Sequence, residues 1–133
     1  MLILTNTASQ EIAPGQILIF DLTRLHTGKC ECYRNGSGSV GLRAQNAIYE
    51  INFSANIGAP VAGVAELSIV ANGSPLTETT MMSTTATAGD LNNVSTTTAI
   101  RTCCCSSEFV TVMNTGTTTV TVDNPSLFIK LTA

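Results

Sequence analysis

The densest groups of chemistry-bearing side chains in this 133-residue sequence are Cys30-x-Cys32 and Cys103-Cys104-Cys105. On extended backbone, residues i and i+2 share a face. Cys30 and Cys32 would then stand together, as would Cys103 and Cys105, with Cys104 opposite. Three chemistries are open to them. Thiolates hold zinc, but structural zinc sites space cysteines by about two to four residues within a turn, and neither cluster does so. No histidine follows nearby, although three symmetry copies of one cysteine around an axis could still close on a metal. Disulfides are the second chemistry, and an odd count of 5 leaves one thiol over. The third is burial as small hydrophobes on strands.

His26 is the single histidine. A Ser-His-Asp or Cys-His arrangement needs its base beside a nucleophile. Asp21 and Arg24 are near His26 in sequence, but no nucleophile motif accompanies it, so it reads as a loop histidine. The carboxylates are dispersed, with no Asp-x-Asp cluster of calcium-loop type. A small hydrolase would have to assemble carboxylates such as Glu50, Glu66 and Glu108 in three dimensions. Glycan-active sites usually add aromatic platforms, and this chain has Tyr33, Tyr49 and no Trp. Ser37-Gly38-Ser39-Val40-Gly41 shares only composition with a phosphate-binding loop: Gly-Lys-Ser/Thr is missing and no helix follows. It reads as a flexible turn. Met81-Met82 sits in a Thr-rich segment and reads as a subunit contact. No catalytic, cofactor-binding or metal-ligating residue is expected, and no cofactor.

The elements that would position any site have period two. Strands are expected at about Ile17 to Leu22, Lys29 to Arg34, Ser39 to Ala44, Ala47 to Ala55, Ala65 to Ala71, Leu76 to Met81, Val94 to Cys105, Phe109 to Met113, Thr118 to Asp123 and Ser126 to Thr132. Turn signals separate them, among them Pro14-Gly15, Asn35-Gly36, Asn72-Gly73, Gly89-Asp90, Asn114-Thr115-Gly116 and Asp123-Asn124-Pro125. Tyr49, Ile51 and Phe53 alternate with Glu50, Asn52 and Ser54, the pattern of an antiparallel sheet with one face on a core. The expectation is one all-β domain over residues 1–133, an antiparallel jelly-roll sandwich of about ten strands. Thr77 to Thr98 reads as a long loop flanked by edge strands.

Charged residues make up 11% of the chain, against about 25% in an ordinary domain. Threonine is roughly a sixth of it, and its β-branch suits a pleated sheet. So little charge points to a surface that is Thr/Ser/Asn-rich or covered by other subunits. A net charge of −3 argues against a nucleic-acid partner, which would call for clustered Lys and Arg. No stretch reaches the ~18 apolar residues of a membrane span. The start, Met1 to Asn6, lacks a basic n-region and apolar h-region, so no secretory signal is expected.

Some strands are apolar on both faces: Ile17-Leu18-Ile19-Phe20 is continuous, and Phe128 joins Leu127 and Ile129. A two-layer sandwich covers only one face of each sheet. A closed homo-oligomer is the usual cover for the other. Ile17, Ile19, Tyr49, Phe53, Phe128 and Lys130 are the expected contact residues.

Ala47-Ile48-Tyr49-Glu50-Ile51-Asn52-Phe53 resembles the central G-x-Y-x-I-x-F strand of the TNF/C1q-like jelly rolls. Ala65 to Gly73 is similar to their L-x-I-x-x-N-G strand, Thr87-Ala88-Gly89-Asp90 to their A-G-D turn, and Val110 to Asn114 with Ser126 to Leu131 to the closing strands. The nearest variety is bacterial and phage, including C-terminal domains of collagen-like spore-surface proteins. The resemblance implies a ten-strand jelly roll, a tight homotrimer, and a role in coating a surface. This chain has no Gly-x-y stalk, which favours a capsid decoration or head-fibre protein over a spore-surface one. The resemblance then implies a place on the virion, synthesis in the host bacterial cytoplasm, and capsid proteins as partners. The alternatives are a bacterial spore or cell-surface protein, or a trimeric module whose Asn72 to Thr80 and Thr84 to Thr98 loops bind a host glycan or receptor.

Overall fold

The computed structural model describes residues 1–28, 30–102 and 108–132. Among them the strands are β1 (Leu2–Thr5), β2 (Gln10–Ile12), β3 (Leu22–His26), β4 (Glu31–Cys32), β5 (Val40–Leu42), β6 (Ile48–Gly58), β7 (Gly63–Ala71), β8 (Ser74–Pro75), β9 (Met81–Thr85), β10 (Leu91–Arg101), β11 (Glu108–Met113) and β12 (Val120–Leu131). A single 3-10 turn spans Thr77–Thr79. The strands form two antiparallel sheets. The first runs β10-β6-β12-β1-β3, with β2 also on β12; the second runs β4-β5-β11-β7-β8, with β9 also on β7. No described helix is long and apolar enough to cross a membrane.

The core lies between the two sheets and follows from the alternation. Tyr49, Ile51, Phe53, Ala55 and Ile57 of β6 are buried, and each intervening residue is only half-buried. Leu2, Leu4, Leu127 and Ile129 continue that inner face. Val40, Leu42, Leu67, Ile69, Val110 and Val112 meet it from the second sheet. Each such leucine, isoleucine, valine or phenylalanine stabilises the fold by roughly 1.5–3 kcal/mol on leaving water.

Four local expectations are corrected. The run Ile17 to Leu22 is a corner between sheets, not a strand. Its alternation is as expected, with Leu18 and Phe20 at 0% exposure. Leu18 N donates to Val112 O of the second sheet at 2.7 Å, and by Leu22 the chain is paired to β1 of the first. In between, side chains receive the backbone donors: Ile19 N on Gln10 Oε1, Phe20 N on Tyr33 Oη and Asp21 N on Asn6 Oδ1. This satisfies the peptide groups that no ladder serves. Second, Leu76 to Met81 holds the 3-10 turn, and the strand begins at Met81.

Third, the Thr-rich stretch is β9 and most of β10 joined by a turn, not a long loop. Gly89, at φ 85, donates its N–H to Ala59 O at 3.0 Å and closes that turn. Alternate threonines of β10 face in and out, as β-branched residues do on a pleat. Fourth, Asp123-Asn124-Pro125 does not end a strand. The register slips between Asp123 and Ser126, Asn124 takes φ 51, and β12 runs on as a bulge.

Tyr49 ties the two layers together. Its hydroxyl donates to Cys30 O at 3.0 Å and accepts Ala44 N–H at 3.1 Å, both beside the β4–β5 pair. Burial pushes its phenol up from the ordinary tyrosine value, and the Ala44 hydrogen bond offsets only part of this. A raised folded pKa favours the protonated form in the folded state. That contribution to stability is complete below the unfolded pKa of about 10 and is lost as pH rises from there through the folded value. Tyr49→Phe is expected to cost about 1–3 kcal/mol at neutral pH by stranding two backbone groups. Urea midpoints measured from about pH 8 to 11 are expected to fall less steeply for this variant than for the parent chain.

Candidate functional site

The first sheet turns its second side away from the core. On β6 that side is Ile48, Glu50, Asn52, Ser54 and Asn56, all half-buried. The register sets these residues in rows across the sheet. Asn52 lies between Phe128 of β12 and Thr97 of β10; Phe128 faces Ile3, and Ile3 faces Leu25. Ser54 lies between Ser126 and Ser95; Ser126 faces Thr5, and Thr5 faces Leu22. Asn56 lies between Asp123 and Asn93, and Glu50 between Lys130 and Ala99.

The two middle rows therefore carry no ionisable side chain. Asp123 stands at one end of the face, and Glu50 and Lys130 at the other. The polar groups bond within the sheet plane: Thr97 Oγ1 donates to Asn52 Oδ1, Asn52 Nδ2 to Glu50 Oε1 at 3.3 Å, and Asn93 Nδ2 to Asn56 Oδ1 at 3.1 Å. Amides already partnered in this way lose less when a neighbour displaces water from them. A register shift between Ile3 and Leu4 gives β1 and β3 a local irregularity. With it, Leu22 and Leu25 both join the outer face, 37% and 40% exposed, on an edge strand. Ile3 and Phe128 extend this apolar strip toward the centre. Uncharged middle rows, charged ends and an apolar edge interrupted by the exposed Arg24 at the register shift match the anatomy of an interface, with its polar rim.

The expected contact residues divide between the two sides of the sheet. Phe128 and Lys130 lie on the outer face, Phe128 half-buried and Lys130 exposed. Ile19 is 38% exposed and Ile17 half-buried, both in the corner segment. Tyr49 and Phe53 point the other way, into the chain's own core at 0% and 1% exposure, and have no surface to offer a partner. Alternation identified their strand, and the opposite parity, Asn52 and Ser54, is the one turned outward. Those residues drew no attention as sequence because small uncharged polar side chains carry no signal until three strands line them up.

The remaining candidates are dispersed. His26 sits at the end of β3, with Nε2 2.8 Å from Glu31 O. Glu50 is on the outer face of the first sheet, while Glu66 accepts a hydrogen bond from Thr115 Oγ1 at 2.7 Å and Glu108 pairs with Asn72 on the second. The structure does not bring these three carboxylates together. Met81 is buried and Met82 is 61% exposed on the neighbouring pleat. Cys30 and Cys32 are both free. Among the described residues no group of three His, Cys, Asp or Glu converges as a metal site would require. Cys103, Cys104 and Cys105 lie outside the described residues. The Ser37 to Gly41 segment is a short link from Ser37 to Ser39 that runs into β5 at Val40. Gly38 is buried at φ 77, and a Cβ there would stand 2.7 Å from Leu18 O.

No protein-family model matches the chain, and no curated protein matches it in sequence. Solved structures do match in three dimensions. Murine APRIL superposes with a TM-score of 0.64 at 12% identity, over 98% of this chain and 97% of that one. PRD1 vertex protein P5 superposes with a TM-score of 0.54 at 16% identity, over 95% of this chain and 93% of that one. A family 35 carbohydrate binding module from Clostridium thermocellum follows more loosely, at 0.47 and 10% identity, over 95% of each chain. Two antiparallel sheets in this order, matched end to end by APRIL, give the chain the TNF-like jelly-roll fold.

Proposed function

We propose that this chain is a non-enzymatic structural protein of a virion, a homotrimer that decorates the capsid or builds a head fibre. The observation that carries the reading is the outer face of the first sheet, uncharged through its middle and apolar along Leu22, Leu25, Ile3 and Phe128. Isolated in water, such a face is a liability; two further copies laid against it would bury it within a closed ring. Its PRD1 vertex neighbour has the same fold, and that protein's name places it on a virion, which supports a capsid as the surface this chain coats. Low overall charge fits a protein whose surface is largely spent on contacts.

Two measurements test the reading. Light scattering on the purified chain is expected to give three times 13.9 kDa. Quantitative mass spectrometry of purified virions is expected to find the chain at a copy number in multiples of three. A monomer in solution removes the trimer, and absence from the particles removes the virion role.

A further inference from the structure

The second sheet carries a cavity that the assembly face does not use. It has a volume of about 510 Å³, within the range of small-ligand pockets, and lies over β4, β5 and the start of β11. Arg34, Arg43, Ser37, Ser39 and Phe109 line it, with Gly41 in its wall. Gly41 faces Cys32 on one side and Phe109 on the other in the sheet register. A Cβ at Gly41 would be 3.6 Å from Phe109 Cε1, so the ring lies against the bare backbone. Phe109 is nonetheless 54% exposed, an aromatic surface left facing water.

The charge here runs against the rest of the molecule. The chain has 6 Lys and Arg residues and a net charge of −3, yet two of its arginines meet in one cavity. Among the described residues the one ion pair joins the Met1 amine to Glu31, and neither Arg34 nor Arg43 pairs with a carboxylate. Two guanidinium groups without a counter-ion favour a planar anion, which they can grip with paired N–H donors. Ser37 and Ser39 add hydroxyls that both donate and accept. The link that presents them is held in place: Gly38 N–H donates to Tyr33 Oη at 3.2 Å, and Tyr33 Oη donates to Phe20 O at 2.6 Å. A carboxylate clamp, hydroxyls suited to a polyol, and an aromatic plate for an apolar ring face are the parts needed to hold one sugar.

We propose that this cavity binds a carboxylate-bearing saccharide, a uronate- or sialate-type ring. The carboxylate lies between Arg34 and Arg43, the ring hydroxyls meet Ser37 and Ser39, and an apolar ring face stacks on Phe109. The site belongs to the single chain and does not depend on the virion reading. It lies on the sheet opposite the assembly face, so a trimer would present three such cavities outward and bind multivalent glycans more tightly than single sugars.

The test is calorimetric titration of the full chain with glucuronate, N-acetylneuraminate, their methyl esters and inorganic sulfate. Saturable binding of an acidic sugar is expected, with the esters and sulfate each weaker by about tenfold or more. Arg34→Ala and Arg43→Ala are exposed changes that leave the core intact, and each is expected to weaken binding by about tenfold or more. Phe109→Ala is expected to weaken the sugar and leave sulfate unchanged. Cys32 lines the same cavity and is exposed, so a bound sugar should slow its alkylation, read by peptide mass spectrometry. Failure of both sugars to bind overturns the proposal. So does sulfate binding as tightly as the sugars, or binding that survives the Arg34→Ala/Arg43→Ala double variant.

Discussion

If the proposed trimer forms through this face, Phe128→Asp is expected to give monomers while leaving the jelly roll folded. Phe128 sits in a middle row of the outer face, between Ile3 and Asn52, where the sheet carries no charge. An aspartate there would place one unpaired carboxylate per subunit inside a contact that excludes water. The effective penalty for burying such an ion is several kcal/mol, and it recurs in every copy around the ring. Within one chain the same carboxylate points to solvent and disturbs no core packing, so the folding cost is that of a poor strand former, about 1 kcal/mol or less. Light scattering is expected to fall from three times 13.9 kDa to 13.9 kDa, with an unchanged circular dichroism spectrum. Lys130→Ala is the contrast. Lys130 is exposed at the charged end of the face, opposite Glu50, and rim charges of this kind contribute about 0–1 kcal/mol. It is expected to remain trimeric. A trimeric Phe128→Asp variant would show that the subunits meet elsewhere.

The division between Phe128 and Phe53 shows what a linear pattern can reveal. Alternation in β6 places Tyr49, Ile51 and Phe53 on one side, and the large residues of a strand go to the core. Assigning Tyr49 and Phe53 to a subunit contact ignored that the same parity had already been spent. In β12, Leu127 and Ile129 fill the core, so the aromatic between them faces outward.

Turn chemistry was legible wherever glycine had to take positive φ. Asn72-Gly73, at φ 50 and 81, makes the tight hairpin between β7 and β8 that such a pair favours. Asp123-Asn124-Pro125 has the same vocabulary and a different outcome, because pairing with β6 on both sides holds the strand through the bulge. The corner at Ile17 to Leu22 was hidden for a related reason. Its side chains keep the parity of a strand while its backbone bonds pass from one sheet to side chains and then to the other sheet. The cavity on the second sheet was not legible at all. Arg34 and Arg43 are separated along the chain by the very turn that read as flexible, and Phe109 arrives from a distant strand through its pairing with Gly41.

Asn114 marks the same limit and gives the largest expected loss of stability. As sequence, Asn114-Thr115-Gly116 is a turn signal, and the turn is there between β11 and β12. The side chain does more than start it. Asn114 is 0% exposed, and its Nδ2 donates to Ile12 O at 2.9 Å and to Thr118 O at 2.8 Å, while Oδ1 accepts Gly116 N–H at 3.0 Å. Its backbone N–H reaches Gln16 O and its carbonyl accepts Gly15 N–H. One residue thus joins β2, the 15–16 turn and the β11–β12 turn. Asn114→Ala strands two carbonyls and an amide, each costing about 1–3 kcal/mol if no water replaces the lost partner. Allowing for partial relaxation, the expected loss is about 3–5 kcal/mol, and a fall in Tm on the order of 10–20 °C. Parent and variant need comparison at one protein concentration, because assembly adds to apparent stability. Asn114→Asp keeps the shape and the acceptor toward Gly116 but turns an oxygen toward Ile12 O and Thr118 O. It is expected to be no more stable than Asn114→Ala at neutral pH. A loss below about 1 kcal/mol in both variants would mean that water reaches these groups and that the end of the sandwich is held by packing alone.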